Sequence, residues 1–550
     1  MAGGSDGIDL RARDSLFDAL ESRSFDVAVI GGGITGAGVA RDAAMRGLSV
    51  ALIEARDFGS GTSSRSSKMI HGGLRYLPMG DVALVREAAS ERKIVQAIAP
   101  HLARETPFVI PAKTTAAIAT LRTGLWTFEK LGGVPKSRRH EVWSRVQLQA
   151  REPAVASDGL AGAVVYPEYL TDDARLTLAN VRSAAAHGAL VVSYAAAESL
   201  VIEGGRAVAI TVCERLPGAP LRRSRLAARL IINAAGPWVD AVRTLEDPAA
   251  GARLKLTKGV HLVVPRERLP VSRTIIFPAA DRRSVFAVPK GEATYIGTTD
   301  TFHPRPEDWP SLTVADADYL LDAAAARFST PRLTHADVAS AWTGVRPLVG
   351  EEGKSASEIS RKDEVWTGPA GVISIAGGKL TAYRKMAERV VDRIEESLGR
   401  KVTDSRTAKD PLPGGDADPA AVAAALERAG HSATSTERLA GLYGGEAQRA
   451  GAGAASEAAH AVLREGALTL EDYWVRRGAR AWFDLDPTFT ALGEAAAVMA
   501  PLLGWSPDET RRQIDHCRGL RRDALAELQP SGEPNPHDQS DRRVPAGGAG

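Results

Sequence analysis

The segment that most constrains the fold is an apolar run that ends in a glycine cluster. Residues 27–36 read Val-Ala-Val-Ile-Gly-Gly-Gly-Ile-Thr-Gly, a pattern typical of a strand, a tight turn and the start of a helix. Gly31, Gly33 and Gly36 fill the Gly-x-Gly-x-x-Gly pattern of dinucleotide-binding folds. There the first glycine permits the turn, the second lets the backbone approach a pyrophosphate, and the third lets the helix pack on the strand.

A second apolar run strengthens this interpretation. Residues 48–53 read Leu-Ser-Val-Ala-Leu-Ile and are followed by Glu54. An acidic residue at that strand end suits the hydroxyl pair of an adenosine ribose. The order of strand, helix, strand and acid predicts a dinucleotide site. The alternative is a simple glycine turn between a strand and a helix.

Length and composition narrow the class of protein. The chain has 550 residues, which predicts two or three domains. Its 69 Lys and Arg residues nearly balance 67 Asp and Glu residues, so no nucleic-acid partner is expected. The two cysteines, Cys213 and Cys517, form no Cys-x-x-Cys pair. We therefore expect a reducing compartment, no disulfide framework and no metal site. No apolar run reaches membrane-span length and no signal-peptide core is visible, so a soluble or peripherally bound protein is expected.

Local patterns predict most of the elements. Helices are expected over residues 10–22, 81–99, 172–187, 314–328 and 381–398, and strands near 189–192, 207–213, 228–234 and 372–376. Four closely spaced strands, at 261–264, 274–277, 285–288 and 294–297, predict a separate antiparallel sheet. Residues 105–165 alternate short apolar runs with Pro, Gly and Arg, and pattern alone does not order them. After a linker at 411–416, an Ala-, Leu-, Glu- and Arg-rich stretch predicts helices to about residue 528.

The arrangement of these segments favours FAD over a nicotinamide cofactor. The loop after Glu54 is long, polar and glycine-dotted, and the nucleotide-binding pattern resumes near 170–236 and 365–395. We predict an α/β, Rossmann-like FAD-binding domain, an α+β substrate domain with an antiparallel sheet, and a C-terminal helical domain. The predicted bounds are 25–100, 166–250 and 365–400 for the FAD-binding domain, 101–165 and 251–364 for the substrate domain, 411–528 for the helical domain, and 529–550 for a disordered tail.

Several longer motifs resemble those of the FAD-dependent glycerol-3-phosphate dehydrogenases, flavoproteins of the glutathione-reductase-like, D-amino-acid-oxidase type. The more specific matches are the Ser-rich loop that ends in His-Gly-Gly-Leu-Arg-Tyr, residues 62–77, and the Gly-Gly-Lys-Leu-Thr segment, residues 377–381. The other matching segments are residues 31–38, 172–176, 233–238, 258–261, 296–300 and 344–348, with looser matches at 412–415 and 476–477.

The resemblance implies an activity and partners. It implies oxidation of sn-glycerol 3-phosphate to dihydroxyacetone phosphate, with hydride transfer from C2 to FAD and electrons passed to a membrane quinone, as part of glycerol catabolism. It also implies a cytoplasmic protein held peripherally at the inner face of the cell membrane. Two alternatives remain open: an oxidase that reduces oxygen to hydrogen peroxide, and a non-catalytic flavin-binding protein. The oligomeric state is open, with a homodimer among the assemblies considered.

The resemblance also implies substrate and catalytic residues. A phosphate dianion needs fixed cations, and Arg75, Arg346 and Lys379 stand in motifs that the family places around its substrate. His261 ranks first as base or polariser, because the pKa of histidine lies near neutral pH. Tyr76 is expected to contact substrate or to wall the pocket. The plainer alternatives are a structural ion pair for Arg346 and a surface lysine for Lys379.

The same matches imply which residues contact the cofactor. His71 is expected either to shape the cofactor loop or to serve as an alternative base. A helix start near Gly378 would face the flavin pyrimidine, where negative charge develops on reduction. The predicted contacts are Gly31, Gly33, Ile34, Thr35, Gly36 and Glu54; Thr62, Ser63, Ser64, Ser67, Lys68, His71, Gly72 and Gly73; Ala235 and Gly236; and Gly378, Lys379, Leu380 and Thr381.

Two basic stretches are candidates for contact with anionic lipid. They contain Lys136, Arg138, Arg139 and Arg145, and Arg222, Arg223, Arg225 and Arg229. The alternative for both is a solvated charged loop.

Overall fold

Two β-sheets and a C-terminal group of helices organise the chain. The computed structural model describes residues 7–71, 82–131, 133–135, 138–350 and 363–529. The described strands are β1 (Ser24–Ile30), β2 (Val50–Ile53), β3 (Met69–Ile70), β4 (Arg104–Ala112), β5 (Glu141–Ser144), β6 (Gly162–Leu170), β7 (Leu190–Val192), β8 (Ala195–Glu203), β9 (Arg206–Glu214), β10 (Arg223–Asn233), β11 (Leu254–Pro265), β12 (Thr274–Pro278), β13 (Ser284–Lys290), β14 (Ala293–Gly297), β15 (Thr301–His303), β16 (Ser340–Val349), β17 (Asp363–Thr367) and β18 (Ile373–Gly377). The described α-helices are α1 (Arg13–Ser22), α2 (Ile34–Met45), α3 (Val82–Ile98), α4 (Thr115–Leu131), α5 (Arg145–Arg151), α6 (Asp173–Ala186), α7 (Val239–Glu246), α8 (Val314–Ala325), α9 (Tyr383–Ser397), α10 (Pro419–Arg428), α11 (Ala433–Tyr443), α12 (Ala447–Ala450), α13 (Ala454–Glu465), α14 (Arg480–Phe483), α15 (Thr490–Leu503) and α16 (Pro507–Ala524).

The first sheet has the order β17-β18-β10-β1-β2-β7, and β8 and β9 extend it from β10. Strand β1 runs parallel to β2 and to β10, with Val27 opposite Val50 and Leu230. Val27, Ala28 and Val29 are fully buried, as expected of a central parallel strand covered on both faces. The predicted strand–helix–strand unit is therefore confirmed.

Helix α2 packs closely against its surroundings because its sequence offers small residues. A Cβ on Gly36 would lie 1.9 Å from the carbonyl oxygen of Gly31, and one on Gly38 would lie 3.1 Å from the Cβ of Ala387 in α9. Helix α6 covers α2 as well, and it begins where the Asp172 carboxylate accepts the N–H of Arg175 at 3.0 Å. The first sheet thus carries helices that hold the glycine turn in place.

The second sheet has the order β15-β11-β14-β13-β12-β4-β6-β3, with β16 on β11 and β5 on β6. Its pairs are antiparallel except β12 with β4. The predicted antiparallel sheet at 261–297 is confirmed, and the unordered stretch 105–165 contributes β4, β5 and β6 to the same sheet. The boundary predicted at residue 165 falls inside β6.

The C-terminal helices contact the second sheet and helix α6. The Ser340 hydroxyl of β16 donates to the carbonyl of Trp482 at 2.6 Å, and Arg175 of α6 pairs with Glu465 of α13 at 2.6 Å. A π-helical turn over Asp472–Arg477 precedes α14. The predicted fold class, including the C-terminal helical domain, is confirmed.

Candidate active site

A cavity of about 1160 Å³ lies where the carboxyl ends of β1, β2, β10 and β18 meet the second sheet. Ligands of open α/β sheets bind at such strand ends. The cavity is lined on one side by the glycine turn and the Ser-rich loop, and on the other by side chains of the antiparallel sheet. One continuous space therefore touches both a dinucleotide-type turn and a second domain.

The glycine turn has the geometry that the motif predicts. Gly31 has a φ of +108°, and a Cβ there would lie 2.6 Å from the carbonyl oxygen of Ala234. Gly31, Gly33, Ile34 and Thr35 line the cavity, whereas Gly36 lies behind them against Gly31. The start of α2 therefore presents backbone N–H groups to the cavity, which fits the pyrophosphate of a dinucleotide.

Glu54 lines the cavity at the end of β2, as predicted. Its carboxylate accepts the N–H groups of Gly32 at 2.7 Å and of Arg56 at 2.9 Å. Burial raises the pKa of Glu54, and these backbone hydrogen bonds oppose that rise. A carboxylate has about four acceptor positions, so acceptor capacity remains for ribose hydroxyls.

The Ser-rich loop reaches the cavity with only some of the predicted side chains. Thr62, Ser63 and Ser67 line it. The Ser63 hydroxyl accepts the N–H of Ile34 at 3.0 Å, and the Thr62 hydroxyl donates to the carbonyl of Val345 at 2.5 Å. These two bonds join the loop to the glycine turn and to the second sheet.

Ser64 and Lys68 do not line the cavity, contrary to their predicted role as cofactor contacts. The Lys68 ammonium is buried and donates to Asp173 at 2.7 Å and to the carbonyl of Ser64 at 3.1 Å. Asp173 also accepts the N–H of Ser66 at 2.8 Å. Lys68 therefore ties the Ser-rich loop to Asp173 at the start of α6, and Asp173 itself lines the cavity.

The predicted residues that follow β10 and β18 all reach the cavity: Ala235, Gly236, Gly378, Lys379, Leu380 and Thr381. Gly378 has a φ of +77°, and a Cβ there would lie 2.4 Å from the sulfur of Met386. Thr381 is bonded through its hydroxyl to the backbone of His71, with both distances at 3.2 Å. This contact brings the two most specific sequence motifs together.

The two candidate histidines differ in position. His71 lines the cavity. His261 does not: it is 1% exposed, and its Nε2 lies 2.9 Å from the hydroxyl of Ser67, which forms the cavity wall. Burial lowers the pKa of His261 well below its ordinary value, and the cations of Arg346 and Lys68 lower it further. The structure therefore does not support the first-ranked role of His261 as base.

Arg346 enters the cavity from β16. Its guanidinium donates to the hydroxyl of Thr298 at 2.9 Å, to the carbonyl of Thr299 at 3.3 Å and to Asp300 at 3.1 Å. A Cβ on Gly259 of the neighbouring strand would lie 2.1 Å from its Nη2. Arg346 is thus a fixed cation, and its side chain keeps 22% exposure.

Four predicted residues, Gly72, Gly73, Arg75 and Tyr76, lie outside the described residues. Sequence analysis gave no role to eight charged residues that line the cavity: Arg56, Arg65, Glu168, Asp173, Asp281, Arg282, Arg283 and Asp300. Arg65 stands in the Ser-rich loop, its guanidinium 4.0 Å from the ring centre of Trp309, and burial lowers its pKa to about 10. Asp300 belongs to a motif that was noted but given no role.

An apolar wall of the cavity was also missed. It consists of Phe108, Ile110, Leu121, Tyr166, Ile276 and Phe286. The first four lie on β4, α4 and β6 in or beside the stretch that the sequence pattern left unordered, so no local signal marked them. Within the described part of the chain, no group of three or more His, Cys, Asp or Glu residues is arranged to hold a metal ion.

Comparisons with known proteins agree with this geometry. Residues 26–384 match the FAD dependent oxidoreductase family, and residues 449–510 match the C-terminal domain of alpha-glycerophosphate oxidase. The aerobic glycerol-3-phosphate dehydrogenase of Bacillus subtilis strain 168 is 36% identical over 94% of this chain and 98% of its own length. That of Staphylococcus aureus strain MRSA252 is 36% identical over 90% of this chain and 94% of its own.

Solved structures extend the comparison. The glycerol-3-phosphate dehydrogenase from Bacillus halodurans, complexed with FAD, superposes with a TM-score of 0.78 at 32% identity, covering 95% of this chain and 99% of that one. The L-alpha-glycerophosphate oxidase from Mycoplasma pneumoniae, with FAD bound, has a TM-score of 0.54 at 17% identity, covering 71% and 99%, and shares the fold. The chain is therefore a member of the FAD-dependent oxidoreductase family and, within it, of the aerobic glycerol-3-phosphate dehydrogenases.

Proposed function

We propose that this chain oxidises sn-glycerol 3-phosphate to dihydroxyacetone phosphate and passes the electrons to a membrane quinone. The observation that carries the proposal is the single cavity shared by the glycine turn and the fixed cation Arg346. When bound, FAD accepts the hydride from C2 of the substrate. The names of the relatives that span nearly the whole chain support the same substrate.

The cofactor half of the cavity fits an extended dinucleotide. The start of α2 offers N–H groups to a pyrophosphate, and Glu54 offers acceptors to a ribose. The turn at Gly377–Gly378 brings Leu380 and Thr381 to the cavity. We assign these three places to the pyrophosphate, the adenosine ribose and the flavin.

The substrate half of the cavity is assigned to a phosphate dianion. Arg346 is held by three acceptors and so keeps a fixed orientation before substrate binds. Lys379 adds a second cation at the end of β18. The phosphate would contact these cations, and this contact orients the secondary alcohol toward the flavin.

We assign proton removal from the C2 hydroxyl to His71 rather than to His261. His71 lines the cavity and its backbone is fixed by Thr381. His261 is buried, its burial holds its pKa well below the ordinary value, and its Nε2 lies 2.9 Å from the hydroxyl of Ser67. Its role is to position the loop that forms the wall.

The test of the proposed function is anaerobic bleaching of bound FAD. We expect sn-glycerol 3-phosphate to bleach the flavin, whereas glycerol, which lacks the phosphate, and lactate do not. Failure of glycerol 3-phosphate to bleach the flavin would support the alternative of a non-catalytic flavin-binding protein.

The electron acceptor is assigned from the apolar wall. Leu121 and Gly124 of α4 line the cavity, while Trp126 on the same helix is 52% exposed. An apolar acceptor could therefore approach along α4 from a lipid surface.

A second candidate, an oxidase that uses oxygen, is favoured by the match of residues 449–510 to an oxidase domain. Peroxide release during turnover separates the two.

Peripheral membrane contact is assigned to the stretch that contains α4, β5 and α5. It exposes Trp126, Val142 and Val146; of its arginines, Arg138 pairs with Glu105 and Arg145 pairs with Asp158. In the other basic stretch, Arg222 pairs with Asp14 and Asp18, and Arg223 pairs with Glu198. Arg225 and Arg229 also pair with carboxylates, Glu203 and Asp26. Pairing with carboxylates weakens the attraction of both stretches to anionic lipid, so the assignment rests on the exposed apolar side chains of the first stretch. Among the described residues no helix is both long and apolar enough to cross a membrane.

A further inference from the structure

The loop after β2 is held from behind by the C-terminal helices. Asp57 in this loop is fully buried. Its Oδ2 accepts hydrogen bonds from Nε of Arg476 and from Nη1 of Arg477, both in the π-helical turn. Two guanidinium groups on one carboxylate form a strong, charge-assisted contact. This contact joins positions about 420 residues apart in the chain.

Further contacts make the group a network. Arg476 donates to Asp472 at 2.8 Å and to Glu471 at 2.7 Å. Asp472 also accepts the hydroxyl of Tyr194 at 2.6 Å, and the N–H of Tyr194 donates to the carbonyl of Arg56 at 2.7 Å. The C-terminal helices therefore hold the loop both at the Asp57 side chain and at the backbone of its neighbour.

The same loop forms one wall of the glycine turn. A Cβ on Gly32 would lie 2.5 Å from the ring of Phe58, and the N–H of Gly59 donates to the carbonyl of Gly32 at 3.0 Å. Glu54, at the start of the loop, accepts the N–H of Gly32 at 2.7 Å. A shift of Asp57 would therefore move the residues that shape the adenosine end of the cavity.

We propose that Arg476 and Arg477 are positioning residues for FAD: by fixing Asp57 they hold the loop of residues 54–59 against the glycine turn. Retention of FAD thus depends on docking of the C-terminal helices. The proposal rests on the assignment of Glu54 to the adenosine ribose. The test of this proposal measures FAD release in the absence of substrate. Its outcome is therefore independent of the bleaching test of the proposed function.

The experiment follows FAD release from the full-length holoenzyme by flavin fluorescence after dilution. D57N and R477Q each remove one partner of the contact, and Y194F removes the hydroxyl bonds to Asp472 and Thr469 but leaves Asp57 and both arginines in place. Since a charge-assisted hydrogen bond is large enough to change an equilibrium about tenfold or more, we expect release about tenfold faster in D57N and R477Q. A smaller increase is expected in Y194F.

R438Q is the matched control. Arg438 donates to Glu457 at 2.6 Å and to the carbonyl of Gly478 at 2.8 Å, within the C-terminal helices. This variant should lower the unfolding temperature but leave FAD release within about twofold of the unsubstituted chain, because it leaves both guanidinium contacts to Asp57 in place. Unchanged release in D57N and R477Q would overturn the proposal. So would equal acceleration in R438Q and D57N.

Hydrogen exchange tests the proposal without substitution, in case a variant fails to fold. Coupling between two sites is reciprocal. Bound FAD should therefore slow amide exchange in the π-helical turn, Asp472–Arg477, relative to the chain stripped of FAD. Equal exchange of this turn in the two forms would overturn the proposal.

Discussion

The imidazole of His261 stacks on the indole of Trp342, with ring centres 4.7 Å apart and planes inclined by 10°. This aromatic surface excludes water from the imidazole, and burial is the main cause of its lowered pKa. A proton on His261 would also lie near the cations of Arg346 and Lys68. The stack therefore favours a neutral His261 that supports Ser67.

This arrangement predicts different effects for the two histidines. Because general bases typically contribute about 10²- to 10⁴-fold, H71N should slow anaerobic flavin reduction by that order while FAD stays bound. H261N should slow it less, through displacement of Ser67. Stopped-flow bleaching at saturating glycerol 3-phosphate over a pH series measures both. A loss in H261N as large as in H71N would return the role of base to His261.

His101 predicts a pH dependence of stability. Burial, followed by the cations of Arg175, Arg104 and Arg182, lowers its pKa to about 3. In the unfolded chain histidine binds a proton near pH ~6.5, so the unfolded state binds more protons between pH ~6.5 and ~3. The free energy of unfolding should fall by up to ~1.4 kcal/mol per pH unit on acidification through this range.

Substitution tests that contribution. H101N should reduce the slope of unfolding free energy against pH, whatever its effect on absolute stability, because the side chain no longer titrates. Urea denaturation at several acidic pH values measures the slope. H335N is the control, since His335 pairs with Asp318 at an exposed position. The same slope in H101N and the unsubstituted chain would contradict the assignment.

The local parts of the fold could be predicted from sequence because their causes are local. The glycine spacing at 31–36 fixes a strand, a turn and a helix within ten residues. The stretch 105–165 could not be ordered, because its strands depend on distant partners: Phe108 of β4 lies opposite Thr274 of β12. The period of apolar residues along the sequence does not identify such partners.

The same difference between local causes and distant partners applies to the candidate site. Backbone features, the turns at Gly31, Gly236 and Gly378, reach the cavity as predicted. The roles of side chains were harder to predict from the sequence, because they depend on contacts between residues that are far apart in the chain. Lys68 pairs with Asp173, 105 residues away, and does not line the cavity, and His261 is separated from the cavity by Ser67, 194 residues away.

Arg346 should be needed for substrate use but not for FAD binding. R346A removes a fixed cation, so kcat/KM for glycerol 3-phosphate should fall about ten- to more than a hundredfold, from a loss of ~1.5–3 kcal/mol. R346K should recover only part, since one ammonium cannot reproduce the planar fork. G259A should lower kcat/KM less than R346A does, because the added Cβ would displace the guanidinium of Arg346 without removing it. Unchanged kcat/KM in R346A would remove Arg346 from the site.

Gly33 should be required for cofactor binding. It lines the cavity, and a Cβ there would already lie 3.2 Å from the hydroxyl of Ser63. G33V should therefore block the approach of the pyrophosphate and yield a colourless protein whose circular dichroism shows retained secondary structure. G493A is the control, because a Cβ on Gly493 would meet no atom within 4 Å. A yellow G33V protein would contradict the assignment of the pyrophosphate.

Trp126 should contribute to membrane contact. Its ring is 52% exposed on α4, and tryptophan favours the interface between lipid headgroups and water. W126S should weaken sedimentation with vesicles that contain anionic lipid, and added salt should weaken the binding of both W126S and the unsubstituted chain. L221S is the matched control, because Leu221 is 69% exposed but lies between β9 and β10 of the first sheet, outside the stretch that contains α4, β5 and α5. Equal vesicle binding by W126S and the unsubstituted chain would place the lipid contact elsewhere.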